Sequence, residues 1–207
     1  MRRLAVALTV LFVLSTQALA WHDGGHKIVA AIAFRQLTPA KQAAVAKLLK
    51  EHPRFNEEFK AKMPHGLDDS AKNEWIFQQA AVFPDIARQY SDDLKAEYHH
   101  PSWHYINMPE FLSTEDRMAL HPEGNLNLSL DPPASLDEKS NVIQVIRAAR
   151  KIIADTNTSG EDRALMLSWL FHTVGDIHQP LHSTAFFSRE LFPHGDKGGN
   201  KVRSSRL

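Results

Sequence analysis

His172 and Asp176 stand four positions apart at the end of an apolar periodic segment, a spacing that puts two metal-ligand side chains one turn apart on one helix face. Pro180 cannot continue such a helix and pushes Gln179 toward extended geometry, so a turn can carry His182 back toward the pair. Three ligand-type groups can therefore converge from one short stretch. On these residues alone a second reading stays open: a helix end with a charged Asp and a few surface histidines.

Composition narrows the choice. The 207 residues, 43% of them hydrophobic, suffice for one domain with a real core. Lys and Arg total 24 against 24 Asp and Glu, so no basic field holds nucleic acid by counterion release alone, and any nucleic-acid function must work through a local site. Twelve histidines and no cysteine favour zinc or another borderline metal bound by imidazole and carboxylate.

The first twenty residues read as a secretory signal peptide. Arg2 and Arg3 form a basic start, Leu4 to Leu14 an apolar stretch, and Ala18-Leu19-Ala20 a cleavage signal that would make Trp21 the mature N-terminus. The expectation is an exported, secreted or periplasmic protein with no stable membrane association, a monomer whose single domain covers 21–207. Without cysteine, its stability must come from the core or from bound metal.

The periodicity predicts an all-α fold. Trp21 to Leu37 reads as a first helix with Ile28, Val29, Ile32, Ala33 and Leu37 on its apolar face and His26 in its first turn. Thr38 and Pro39 fit the N-cap and first position of a second helix to about Lys50, burying Val45, Leu48 and Leu49. Residues 51–70 read as loop or short helical pieces. A third helix spans Ala71 to Val82 and stops at Phe83-Pro84, leaving Asp85 beyond its end and Arg88 a turn later. Ser102 to Asn107 suits an extended segment, and 109–133 a long connection. Ser135 to Glu138 has capping-box form and opens a helix to about Asp155, with Val142, Ile143, Ile146, Ala149 and Ile153 as its stripe. The last helix, from about Glu161 to Ile177, delivers His172 and Asp176.

Trp21, His26, Asp85 in Phe-Pro-Asp-Ile-Ala-Arg, His104 in Trp-His-Tyr-Ile-Asn, the His172 to His182 stretch and Gly198-Gly199-Asn200 occur in an order that resembles one family. It is the zinc-dependent single-strand-specific nucleases, the class I nuclease and 3′-nucleotidase family of the mung bean nuclease type. The resemblance covers Trp21 to Asn200. It implies a mostly helical fold shared with bacterial zinc phospholipase C, with three zinc ions in one cleft. By that resemblance Asp85, His104, His172 and Asp176 hold the first zinc. Trp21, through its α-amino nitrogen and carbonyl, holds the second with His26 and a bridging Asp176. His182 is one ligand of the third. Arg88 contacts a phosphate, and Asn107 sits beside the catalytic water.

The implied activity is hydrolysis of phosphodiester bonds in single-stranded DNA and RNA to 5′-phosphate products, with 3′-nucleotidase activity on nucleotides. Taken singly, Asp85 with Arg88 also reads as an i,i+3 ion pair, His104 as a core histidine, and Gly198-Gly199 as a flexible tail. No ligand role is assigned to His22, His52, His65, His99, His100, His121, His178 or His194. Two departures stand out. Asn107 replaces an Asp of the family, and an amide can orient a water but cannot take its proton. The family's further ligands of the third zinc have no counterpart through Leu207, so the expectation is a domain incomplete at its C-terminus. The rival readings are a phospholipase C and a non-catalytic zinc-binding remnant; the short step from Trp21 to His26 matches the nuclease branch.

Overall fold

The computed structural model describes residues 23–199 and 201–202; the expected signal peptide, Trp21, Asn200 and the last five residues lie outside the described residues. In chain order the helices are α1 (Asp23–Arg35), α2 (Pro39–Leu49), α3 (Asp69–Ala87), α4 (Asp92–Tyr98), α5 (Thr114–Leu120), α6 (Val142–Ala154), α7 (Gly160–Asp176) and α8 (Pro180–Ser183). Two short strands, β1 (Met108–Phe111) and β2 (Thr184–Phe187), pair in parallel with Met108 opposite Thr184. The fold is thus predominantly helical, as the periodicity predicts.

Helix α7 is the axis of the domain. Its N-terminus is fixed by Ser159, whose hydroxyl accepts the N–H of Asp162 at 3.0 Å, and by Glu161 and Asp162 at the positive end of the helix dipole. It packs against α1, α2, α3 and α6, which explains why it buries Ala164, Leu167, Trp169 and Thr173 on different faces and lacks one clean apolar stripe. Leu167 joins Leu49, Phe59, Ile76 and Phe83 in the largest core cluster, and Trp169 joins Trp103, Val145 and Ala149 in a second. A third cluster joins Ala30 and Phe34 of α1 to Phe77 and Ala81 of α3.

Helix α2 follows its local signals: Thr38 caps it through the N–H of Lys41, and Pro39 opens it. Elsewhere tertiary packing moves the expected features. In α1 the buried face is His26, Ala30 and Phe34, whereas Ile28 and Ile32 are exposed; small Ala30 permits close packing on α3 and leaves room for the Phe34 ring against Phe77. Helix α3 does not stop at Phe83-Pro84 but runs through to Ala87, putting Asp85 in its last turn. Pro84 has no N–H to give to Ala80, and burial of Val82, Phe83, Pro84 and Ala87 outweighs that loss.

His104 ends a 3₁₀ turn, Pro101–His104, rather than lying in an extended run. The turn is pinned by Trp103 Nε1, which donates to Asp137 O at 2.7 Å, and the extended segment begins later, at β1. Helix α6 opens at Val142, not after Ser135. Its capping box is Asn141 with Gln144, because Asp137 accepts the Lys139 N–H and the Ser140 hydroxyl in a closed turn that holds 137–140 out of the helix. The long connection contains β1, α5 and a 3₁₀ turn at Pro122–Asn125 before it becomes irregular. Among the described residues no helix is long and apolar enough to cross a membrane.

Candidate metal centre

Four separate elements deliver five side chains to one point: His26 from α1, Asp85 from the end of α3, His104 from the 3₁₀ turn, and His172 and Asp176 from α7. Their ligand atoms form two overlapping groups, His26 with Asp85 and His172, and His104 with His172 and Asp176, each within 4.8 Å. The His26 and His172 rings stack at 3.9 Å between centroids, and the His104 ring meets His172 edge-on at 4.7 Å.

Asp176, 2% exposed, addresses different histidines with its two oxygens. Oδ1 faces His26 Nε2 at 3.5 Å, while Oδ2 faces His104 Nδ1 at 3.1 Å and His172 Nε2 at 3.2 Å. Among the described residues no Lys or Arg pairs with it. Burial opposes its charge, yet the imidazoles of His104 and His172 beside it prevail and hold the carboxyl well below the usual range. Burial, then the neighbouring His172, pushes His26 down to about 4; burial also lowers His104. For His172 burial works against the charge, but Asp176 and Asp85 outweigh it and raise the value.

The tautomer of His172 follows from its backbone partner. Nδ1 lies 2.8 Å from the carbonyl of Ala81, which can only accept, so Nδ1 carries the proton. In the neutral ring Nε2 then presents a lone pair, 2.9 Å from His104 Nδ1, 3.2 Å from Asp176 Oδ2 and 3.9 Å from Asp85 Oδ1. Acceptor atoms so close require a proton or a cation among them. Neutral imidazoles and carboxylates with no thiolate fit a borderline divalent metal, and the carbonyl bond to Nδ1 is the outer contact that orients a metal-ligating histidine.

Arg88, at the C-terminal cap of α3, donates through Nη2 to Asp85 Oδ1 at 2.5 Å and stays more than half exposed. The i,i+3 ion pair and a place at the rim of the centre are both present. Asp85 thus links the exposed guanidinium to the buried histidines.

The structure does not bring His182 or Asn107 into either ligand group. Both line an adjoining cleft of about 400 Å³, together with Tyr105, His194 and Lys197. The backbone N–H of Ile106 donates to His182 O at 2.8 Å, tying α8 to the segment after His104. Gly198 and Gly199 adopt positive φ values of 62° and 79° in a turn whose N–H groups both donate to the carboxylate of Asp196. A Cβ on Gly198 would come within 2.4 Å of Leu181 O, so glycine is required for this turn to lie against α8. His178 donates back to Val174 O at 2.6 Å. Trp21 and Asn200 lie outside the described residues.

Two further residues of structural consequence lie outside the candidate site residues that the sequence singles out. Gly175, inside α7, allows the His26 ring to approach its backbone. Asp196 ties Phe186 N, Gly198 N and Gly199 N together while 6% exposed. A Gly beside a ligand Asp and a Gly-Asp before Gly-Gly were visible in the sequence, but the contact that makes each necessary is long-range.

No individual characterised relative matches the chain. The sequence profile of the S1/P1 nuclease family matches residues 21–205, which takes in all five clustered side chains and the Gly198 turn. The chain therefore belongs to the S1/P1 nuclease family, metal-using hydrolytic nucleases that act on nucleic acid.

Proposed function

We propose that this protein is an exported zinc-dependent endonuclease that hydrolyses single-stranded DNA and RNA to 5′-phosphate products and also removes 3′-phosphates from nucleotides. The observation that carries this reading is Asp176, a buried carboxylate whose two oxygens face different histidines and which, among the described residues, pairs with no Lys or Arg. A carboxylate so placed would suit sharing between two cations. Asp85, His104, His172 and Asp176 would hold one zinc; Trp21, freed by cleavage after Ala20, would hold a second with His26 and Asp176; His182 would contribute to a third.

Zinc at this centre supplies Lewis acidity, lowering the pKa of a water and offsetting charge that develops on phosphate oxygens. The residues of the chain do the rest. Ala81 O fixes the His172 tautomer, so the ring presents its lone pair without a prior proton shift. Arg88 exchanges part of its contact with Asp85 for a phosphate oxygen at the rim, where a planar guanidinium suits two-point binding. Asn107, in the adjoining cleft, orients water or a substrate edge but accepts no proton, so proton removal falls to another group. The family match favours the nuclease over a phospholipase C reading.

The test is to strip the purified protein with a chelator, reload it with zinc and follow cleavage of single-stranded DNA, single-stranded RNA, duplex DNA and phosphatidylcholine. Zinc-dependent cleavage of the single strands is expected. Cleavage of the lipid alone would establish the rival enzyme, and bound zinc with no hydrolysis of any substrate would mark a non-catalytic protein.

A further inference from the structure

Tyr105 and Asn107 line two clefts, not one. The first is the cleft shared with His182; the second, of about 320 Å³, is lined further by Asn127, Lys139 and Asn141. Its volume lies at the lower end of the range for small-ligand pockets. The second cleft shares Tyr105 and Asn107 with the first, and Tyr105 directly follows His104 of the metal centre in the chain.

Three polar side chains of this wall, those of Ser102, Asn127 and Asn141, are already engaged. Ser102 Oγ donates to Glu138 O. Asn127 Nδ2 donates to Lys139 O at 2.7 Å and to Gln144 Oε1 at 2.8 Å, and its Oδ1 accepts Ser129 N. Asn141 Nδ2 donates to Asn127 O and Ser129 O, and its Oδ1 accepts the N–H groups of Ile143 and Gln144. Those three residues have little left with which to read the edge of a base, and Asn107 is shared with the first cleft. Lys139 differs. It is exposed, Asp137 Oδ1 is taken by the backbone N–H of Lys139 and the hydroxyl of Ser140, and among the described residues no ion pair holds its ammonium. The cleft therefore offers shape, one aromatic ring and one positive charge. Those are the means by which proteins hold single-stranded nucleic acid without sequence preference.

We infer that the cleft between Tyr105 and Lys139 seats a second nucleotide of the substrate strand, neighbouring the one at the metal centre, with the Lys139 ammonium on its phosphate. The inference rests on the nuclease reading for the identity of the strand. It makes the protein prefer polymers over short fragments, and it makes the added affinity independent of base.

Binding is measured by fluorescence anisotropy on the zinc-loaded protein with nuclease-resistant phosphorothioate oligothymidylates, one long enough to occupy both clefts and one of two nucleotides. For Lys139→Ala the preference for the long probe is expected to fall about three- to tenfold, and the slope of log Kd against log salt to shrink by about 0.7, the value for one phosphate contact on a single strand. Lys139→Arg should restore both, and Lys139→Glu should exceed the alanine effect. An unchanged length preference and salt slope in Lys139→Ala would overturn the subsite, as would failure of the parent protein to bind the long probe. Turnover is scored separately. Cleavage of the unmodified strand without Lys139 dependence removes the subsite and leaves the nuclease, whereas Lys139-dependent binding without cleavage removes the enzyme and leaves the subsite.

Discussion

A β-carbon on Gly175 would stand 2.8 Å from Nδ1 of His26, closer than such atoms approach in proteins, and 3.2 Å from its Cε1. His26 has no slack in which to retreat, because its ring stacks on His172 at 3.9 Å and is buried. Gly175→Ala should therefore shift the His26 ring and cost about 1–3 kcal/mol of stability, the usual range for overpacking. If His26 is a ligand as proposed, zinc content should fall as well. Thermal unfolding together with metal analysis checks this; an alanine variant with full stability and full zinc would show that the ring can move freely.

Asp176 and Asp85 should behave differently when neutralised. Asp176 faces three histidines through two oxygens, whereas Asp85 faces His172 at 3.9 Å and is otherwise tied to Arg88. Asp176→Asn is expected to lower zinc content by more than one ion per chain and Asp85→Asn by about one. Equal losses in the two variants would count against a shared carboxylate.

The free amine of Trp21 is expected to be a ligand once the segment ending at Ala20 is removed. An extra Ala ahead of Trp21 should weaken the second zinc and reduce hydrolysis of single-stranded DNA, while leaving the unfolding temperature of the chelator-treated protein in place. Full zinc stoichiometry in the extended protein would sink this assignment.

His52 gives a pH signature that is independent of metal. Its Nδ1 accepts the N–H of Arg54 at 3.1 Å, its ring lies between Phe59 and Phe83, and it is 3% exposed. Burial, then the Arg54 charge, depresses its pKa from 6.5 to about 3. A histidine whose folded pKa is lowered contributes stability that is fully present above the unfolded value of 6.5 and is lost as pH falls toward 3, since the unfolded chain takes the proton first. By pH 5 the loss from this group is about 2 kcal/mol. Urea unfolding at pH 7 and pH 5 with chelator present should show His52→Phe losing less stability between the two pH values than the parent, by about that amount. Parallel behaviour of the two proteins would mean that His52 is not held neutral.

Features that depend on neighbours along the chain are legible in the residues alone. Thr38 and Pro39 start a helix because a hydroxyl and a fixed φ suit its first turn, and the 3.6-residue period puts His172 and Asp176 on one face wherever the helix packs. The order of the ligand types along the chain likewise pointed to the nuclease family that the profile match establishes. The tertiary structure decided what depends on distant partners. Ile28 and Ile32 have the period of a buried face, yet α1 turns His26 and Phe34 inward, because the fit against α3 and α7 selects the face. Pro84 should end α3 on local grounds, but packing of Phe83 and Ala87 carries the helix through and places Asp85 within reach of His172. The capping box passes from Ser135 to Asn141 because Asn141 also binds the carbonyls of Asn127 and Ser129, contacts that exist only once the loop has folded over α6. Gly175 faces His26 and Asp196 binds Phe186 N for the same reason: local period and capping act within a few residues, whereas these contacts form only when separate segments pack together.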